Sequence, residues 1–214
     1  DLGTIQPIAE IAELARQAAV RVHTDGVQST GKLPVDVQAL GVDLFSLSGH
    51  KIYAPKGVGA LYVRKGTVLD SIQFGGRHER GRRPGTENVA GIVGLGIAAT
   101  LAGQEMADEN RRLAALRDRL ERTILGGIEL TTIHGAAAGR VPNTTNIRFD
   151  AIEGEAMVIA LDLKGMAVSS GSACSSGAVL PSHVLKAMGL TSEQARSSLR
   201  FSLGKQTTGD QIDT

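Results

Sequence analysis

Five kinds of side chain in this 214-residue chain could do chemistry together: an amine, a carboxylate, an amide, a thiol and guanidinium groups. The amine is Lys51, inside the stretch SLSGHKIYAPKG from Ser46 to Gly57. Val42, Leu44 and Leu47, with Asp43 and Ser46 between them, predict a short strand that runs into a loop at Ser48-Gly49-His50-Lys51. A lysine just past a strand end, beside a hydroxyl and an imidazole, suits an activated amine, because burial and neighbouring cations both disfavour the ammonium form. Such an amine forms Schiff bases with carbonyl compounds, pyridoxal phosphate among them. The competing reading is a surface lysine in a polar turn. Lys56, in the turn Pro55-Lys56-Gly57, is the rival amine, but exposed lysines are usual in such turns.

The carboxylate is Asp25, in HTDGVQ. Val20 to His23 alternates as a strand, so Asp25 falls just past a carboxyl end, where α/β sheets offer a ligand crevice. Asp25 is either a turn residue or the acid that keeps a pyridine nitrogen protonated. Gln28 either contacts a ring substituent or caps the loop. A second unusual segment, GGRHERGRRPGTEN from Gly75 to Asn88, precedes a helix expected to start near Thr86. A hydroxyl and free N–H groups at a helix start, with arginines nearby, suit a phosphate or carboxylate; a solvated basic loop is the alternative. The thiol is Cys174, in SSGSACSSG. A stretch of that composition is expected to be mobile and exposed, which suits a nucleophile or sulfur carrier better than a core residue. With a single cysteine and no histidine at ligand spacing, a zinc site is disfavoured. Arg200, in SSLRFSLGK, alternates with Leu199 and Phe201; it faces solvent or holds a carboxylate with its planar fork.

The elements that must position these groups follow from periodicity. Pro7 opens a helix carrying Ile8, Ile11, Ala12, Ala15 and Ala19, and Ala60 to Val63 reads as a strand. Asn110 to Ile124 reads as a long amphipathic helix with a solvated charged face. Short strands at 128–133 and 144–149, a helix at 154–163, a strand near 166–168 and helix starts at Ser182 and Thr191 complete a second, α+β-like layer. The domain boundary is expected between about Ala102 and Glu109. The net charge of +1 gives no argument for a nucleic-acid or membrane partner, and 3% aromatic content offers few stacking platforms for bases. No uninterrupted apolar run is expected to reach the ~18–20 residues of a membrane span. One cysteine cannot form an internal disulfide, which fits a reducing compartment. The opening Asp1-Leu2-Gly3-Thr4, without Met, reads as a cut through a larger protein.

Taken together and in this order, HTDGVQ, SLSGHKIYAPKGVGALYV, GGRHERGRRPGTEN, SSGSACSSG and SSLRFSLGK resemble the cysteine desulfurases of the NifS/IscS type, in the class V aminotransferase family. The resemblance covers essentially the whole chain. It implies an α/β fold, the fold-type I of pyridoxal-phosphate transferases. Residues 1–105 would be the remainder of the large cofactor-binding domain, and 106–214 the small α+β domain carrying the cysteine loop. It also implies pyridoxal 5'-phosphate as cofactor, Lys51 as the Schiff-base lysine, Asp25 at the pyridine nitrogen and Gln28 at the ring hydroxyl. Ser48 and His50 would hold the phosphate, with His50 among the catalytic residues. Thr86 would reach the phosphate of a partner subunit in a homodimer. Arg200 would clamp the carboxylate of L-cysteine, and Cys174 would attack its sulfur. The implied products are L-alanine and an enzyme persulfide that serves a sulfur acceptor such as an Fe–S scaffold, in the cytoplasm. The family's amino-terminal part, with a Gly/Thr phosphate turn and a ring-stacking histidine, would precede Asp1. The alternatives are selenocysteine lyase or aminotransferase chemistry on the same fold, or an inactive fragment or paralogue acting as a binding partner.

Overall fold

The alternation at Leu44–Ser48 builds the central strand of a three-stranded sheet in the computed structural model, which describes residues 1–170 and 181–214. Cys174 and its loop lie outside the described residues. The described chain divides into two compact units. One comprises Gln6–Ala107; the other comprises Asp1–Ile5 with Asp108–Thr214.

In the first unit, helix α1 (Ile8–Gln17) follows Pro7 and leads through Ala19, at φ 55°, to strand β1 (His23–Asp25). The strand begins later than its alternation suggests. Val20 is spent on leaving the helix, its N–H still bonded to Ala15 O at 2.8 Å, and it stays exposed. A short helix α2 (Val37–Leu40), capped by Asp36 through Gln38 N at 2.8 Å, carries the chain to β2 (Leu44–Ser48). β1 and β2 run parallel, and β3 (Gly59–Val63) returns antiparallel to β2. Ala12 of α1 packs with Val42 and Phe45, and Ile8, Val22, Leu40 and Leu47 close around them. Between β2 and β3 a 3₁₀ turn, Gly49–Ile52, carries His50 and Lys51.

Helix α3 (Val89–Gly127) is a single 39-residue helix, where the sequence suggested one helix from Thr86 and another at Asn110–Ile124. Nothing between Ala102 and Glu109 breaks a helix: the segment AGQEMADE consists largely of helix formers, and composition shifts there without a stop signal. Its start is also later than Thr86. Asn88 is the cap, with its side-chain oxygen accepting from Gly91 N at 3.0 Å and its carbonyl from Ile92 N at 2.9 Å. By length and composition this helix could cross a membrane, although its uncharged stretch stops short of the ~18–20 residues of a full span. Val89 to Gly103 holds no charge, and the glycines, alanines and Thr100 that interrupt the larger apolar residues are tolerated by a span. Leu95, Ala98 and Ala102 pack with Ile52 and Ala54, whereas Val89, Ile92, Val93 and Ile97 are exposed.

In the second unit, β4 (Thr131–Ile133), β5 (Thr144–Phe149) and β6 (Ser198–Ser202) form an antiparallel sheet in that order. Ile147, Phe149 and Leu199 form its apolar face, covered by Ile124 of α3 and by Met157, Val158 and Leu161 of α4 (Gly154–Asp162). The strand expected at 166–168 does not form; only Ser169 pairs, as a single bridge to Arg200. α5 (His183–Ala187) and α6 (Ser192–Arg196) are capped by Ser182 and Thr191, and Leu185 and Ala195 bury Leu2 against them. A last helix, α7 (Gly209–Asp213), was not anticipated, although Thr208 and Gln211 form a full capping box. Arg112 holds the segment before it by donating to Thr207 O at 2.6 Å and Gly204 O at 3.1 Å. Arg140 and Glu121, both nearly buried, pair at 2.7 Å and 3.2 Å in a two-pronged contact.

His134 follows β4, is 6% exposed, and faces Ser198 Oγ across 3.3 Å. Burial first, then Arg148, holds its imidazole below the usual range, with Asp150 opposing. The unfolded chain therefore takes up a proton near pH 6.5 that the folded chain resists, and stability falls as pH drops from there toward the lowered folded value. Urea midpoints measured from about pH 7.5 down to about 5 should fall for the natural chain and fall less for His134→Gln. Parallel curves for the two proteins would remove His134 as a source of the dependence.

Candidate active site

Parallel pairing of β1 with β2 sets the register Asp25↔Ser46, and Gly26 N donates to Ser46 O at 2.8 Å. The carboxyl ends of both strands therefore meet at one sheet edge, the place where open α/β sheets bind ligands. Alternation puts His23 and Asp25 on the same face as Ser46 and Ser48, and His23 Nε2 lies 2.7 Å from Ser46 Oγ. Phe45 and Leu47 point the other way, toward α1. Gly26 sits directly on the Phe45 ring: a Cβ there would fall 1.8 Å from Cζ. That contact locks the loop after Asp25 onto the sheet.

The 3₁₀ turn then aims its side chains by burying every third one. Gly49 and Ile52 are buried, His50 is exposed and Lys51 is half-buried between them. Ile52 packs beneath Ala98, and α3 comes so close at Gly94 that a Cβ would lie 2.8 Å from the Pro55 ring. Ser48 Oγ lies 2.8 Å from His50 Nδ1, so hydroxyl and imidazole form one hydrogen-bonded unit beside the amine. Asp25 Oδ1 accepts from Val27 N at 2.8 Å; among the described residues Oδ2 has no partner. Gln28 Oε1 accepts from Lys32 Nζ at 2.9 Å, which leaves the Gln28 NH₂ group as a donor.

These groups form a complementary set: an acceptor on Asp25, a donor on Gln28, a hydroxyl–imidazole pair and a half-buried amine. Pyridoxal phosphate offers a ring N–H, a ring oxygen, a phosphate and an aldehyde in turn, so the residues present fit that group. Lys51, Ser48, His50, Asp25 and Gln28 are thus brought to one edge within the unit Gln6–Ala107. Lys56 is exposed in its turn. Thr86 is exposed ahead of the Asn88 cap and does not serve α3 as a capping residue. The arginine-rich loop before it folds on itself, with Arg83 donating to Gly85 O at 3.0 Å and pairing with Glu79 at 3.6 Å.

Arg200 lies in the other unit, half-buried on β6, opposite Asn146 in the register and on the face away from Leu199 and Phe201. Its backbone exchanges hydrogen bonds with Ser169, at 2.6 Å and 3.2 Å. Two residues at these sites were not found from the sequence. Lys32, four residues after Gln28, is one, though its i,i+4 spacing was a usable signal. Asn146 has no solvent exposure, and among the described residues neither of its side-chain amide atoms has a hydrogen-bond partner. In TTNIRF nothing distinguishes it from an ordinary strand residue.

The family model for aminotransferase class-V matches residues 1–214, and the chain belongs to that family. Within it, the chain is similar to "Cysteine desulfurase NifS" of Azotobacter vinelandii, 49% identical over 213 residues that cover 100% of this chain and 53% of that protein. It is likewise similar to "Cysteine desulfurase IscS" of Anaeromyxobacter sp. (strain Fw109-5), 51% identical over 215 residues, again covering 100% of this chain and 53% of the relative. Among solved structures, a NifS-like protein from Rickettsia africae ESF-5 matches with a TM-score of 0.90 at 34% identity, over 99% of this chain and 56% of that one. The mixed α/β architecture expected of fold-type I is therefore borne out. The chain spans about half the length of the curated relatives it matches.

Gly26→Ala tests the loop lock. The new methyl must displace the Phe45 ring, at a cost of about 1–3 kcal/mol. The double variant Gly26→Ala, Phe45→Leu should recover part of the loss in a denaturant titration. An unchanged midpoint for Gly26→Ala alone would show that the ring is not in contact.

Proposed function

We propose that the protein is a pyridoxal-phosphate-dependent cysteine desulfurase that converts L-cysteine to L-alanine and holds the released sulfur as a persulfide on Cys174. The observation that carries this reading is the sheet edge where Lys51, the Ser48–His50 pair, Asp25 and Gln28 meet. The similarity to relatives named cysteine desulfurase supports the same reading.

Pyridoxal phosphate, when bound, supplies an electron sink that loosens bonds around the α-carbon of an amino acid. Lys51 would hold the cofactor through its aldehyde, as an amine suited to a Schiff base. The free oxygen of Asp25 accepts the ring N–H and keeps that nitrogen protonated. Gln28 donates to the ring oxygen, while Ser48 and His50 hold the phosphate. Arg200 binds the substrate carboxylate with two parallel N–H donors. Cys174 acts as thiolate: its sulfur bonds to the sulfur of L-cysteine as the substrate's Cβ–S bond breaks. The carbon product takes up a proton to leave as alanine, so no external oxidant or reductant is needed. A thiol of ordinary pKa, about 8.5, supplies enough thiolate for this step near neutral pH. We infer further that two copies assemble as a homodimer in the cytoplasm, with Thr86 of one reaching the phosphate in the other. A protein acceptor, such as an Fe–S scaffold, then takes the sulfur.

In the full-length protein, Cys174→Ala should keep the visible absorbance of the bound cofactor and lose persulfide formation from L-cysteine. Persulfide formed at the unmutated rate would take Cys174 out of the reaction. Lys51→Ala should lose the visible band; a band that survives would place the cofactor on another amine, Lys56 being the first to test.

A further inference from the structure

The loop after Asp25 winds as a short helical turn. Ser29 N and Thr30 N donate to Gly26 O at 3.1 Å and 2.9 Å, and Leu33 N donates to Ser29 O at 2.9 Å. The winding puts Gln28 and Lys32 one turn apart on the same side, where Lys32 Nζ reaches Gln28 Oε1 at 2.9 Å. Gly31, at φ +74°, lets this turn press against the Lys51 turn: a Cβ at position 31 would sit 2.8 Å from Ile52 Cγ2. The amide of Gln28, the amine of Lys32 and the amine of Lys51 are therefore packed into one neighbourhood.

We propose that Lys32 is a positioning residue for the cofactor: by donating to the Gln28 carbonyl oxygen it fixes the amide so that the NH₂ group faces the cofactor's ring oxygen. The inference rests on the cofactor reading above. Its chemistry is one-sided. An ammonium beside an amide can only be a stable neighbour of the oxygen, because it has no lone pair and facing the NH₂ would set donor against donor. Without Lys32 the amide can turn over and offer an acceptor to an electron-rich oxygen, which repels it. Burial, and then the nearby Lys51, push the Lys32 amine down to about 8. Below that value Lys32 is an ammonium, which donates and cannot accept, so the amide is held in this orientation at neutral pH.

The test uses full-length protein, first stripped of cofactor and then titrated with pyridoxal phosphate while the visible band is followed. Lys32→Met should bind the cofactor about tenfold more weakly, the loss of one charge-assisted hydrogen bond. The pH midpoint of the visible band should move upward, because removing a neighbouring cation and a fixed donor both favour a more protonated chromophore. Lys32→Arg keeps charge and donor and should restore both readouts. Gln28→Leu should weaken binding by a similar factor, and adding Lys32→Met to it should cost little more. Additive losses, or a Lys32→Met protein that matches the natural one in affinity and midpoint, would overturn the inference. Natural protein that develops no visible band at all would instead overturn the cofactor reading on which it stands. Unfolding midpoints of the cofactor-free proteins check the fold. If Lys32→Met does not fold, Lys32→Gln, whose amide is too short to reach, takes its place against Lys32→Arg.

Discussion

Burial of Ile52 is the constraint on which the site depends. One isoleucine at 5% exposure, seated against Ala98 and Ala54, fixes the 3₁₀ turn that displays His50 and Lys51. Removing such a side chain from water contributes about 1.5–3 kcal/mol, which offsets part of the entropy lost in ordering the turn. α3 can serve as the floor because Gly94 lets the helix approach Pro55 and small residues at 98 and 102 leave room for Ile52. A helix with leucine at these positions would lift the turn and carry the amine away from Asp25. Position of the amine is thus set by packing on the side of the turn remote from the chemistry.

The polar groups follow a common pattern in which one atom is committed and one is left open. Asp25 gives one oxygen to Val27 N–H, Gln28 gives its oxygen to Lys32, and Ser48 and His50 bind each other. Committing one atom removes rotamer freedom before a ligand arrives, so less order must be created on binding. The second unit uses the same economy on a larger scale: the backbone at Arg200 is clasped to Ser169, which holds the strand in place while its side chain projects from the face opposite the apolar core.

Much of this was legible in the sequence because the signals were local. The Leu44–Ser48 alternation, the strand at Thr144–Phe149 and the capped starts at Ser182 and Thr191 all rest on neighbours within a few residues. Asp25, Ser48, His50 and Lys51 could be grouped because strand ends collect ligands. What was missed depends on distant partners or on the lack of a stop. α3 reads as two helices in the sequence because a domain boundary is expected between Ala102 and Glu109, yet Gly103 does not end the helix and no proline stands there. The strand at 166–168 failed because apolar residues alone do not make a ladder; only Ser169 finds a partner. Lys32 could not be distinguished from any loop lysine until the turn around it was wound, and Asn146 could not be recognised until its surroundings were closed.

Asn146 leaves a mark on the whole second sheet. Among the described residues both amide atoms of Asn146 go unanswered, and a buried amide left so costs about 1–3 kcal/mol, in the middle of a strand that otherwise packs tightly. An aliphatic residue of similar size would spare that expense. Across the strand from Arg200, this sheet forgoes robustness at a rung where a charged side chain projects from its polar side, with Arg148 at the next rung on the same face.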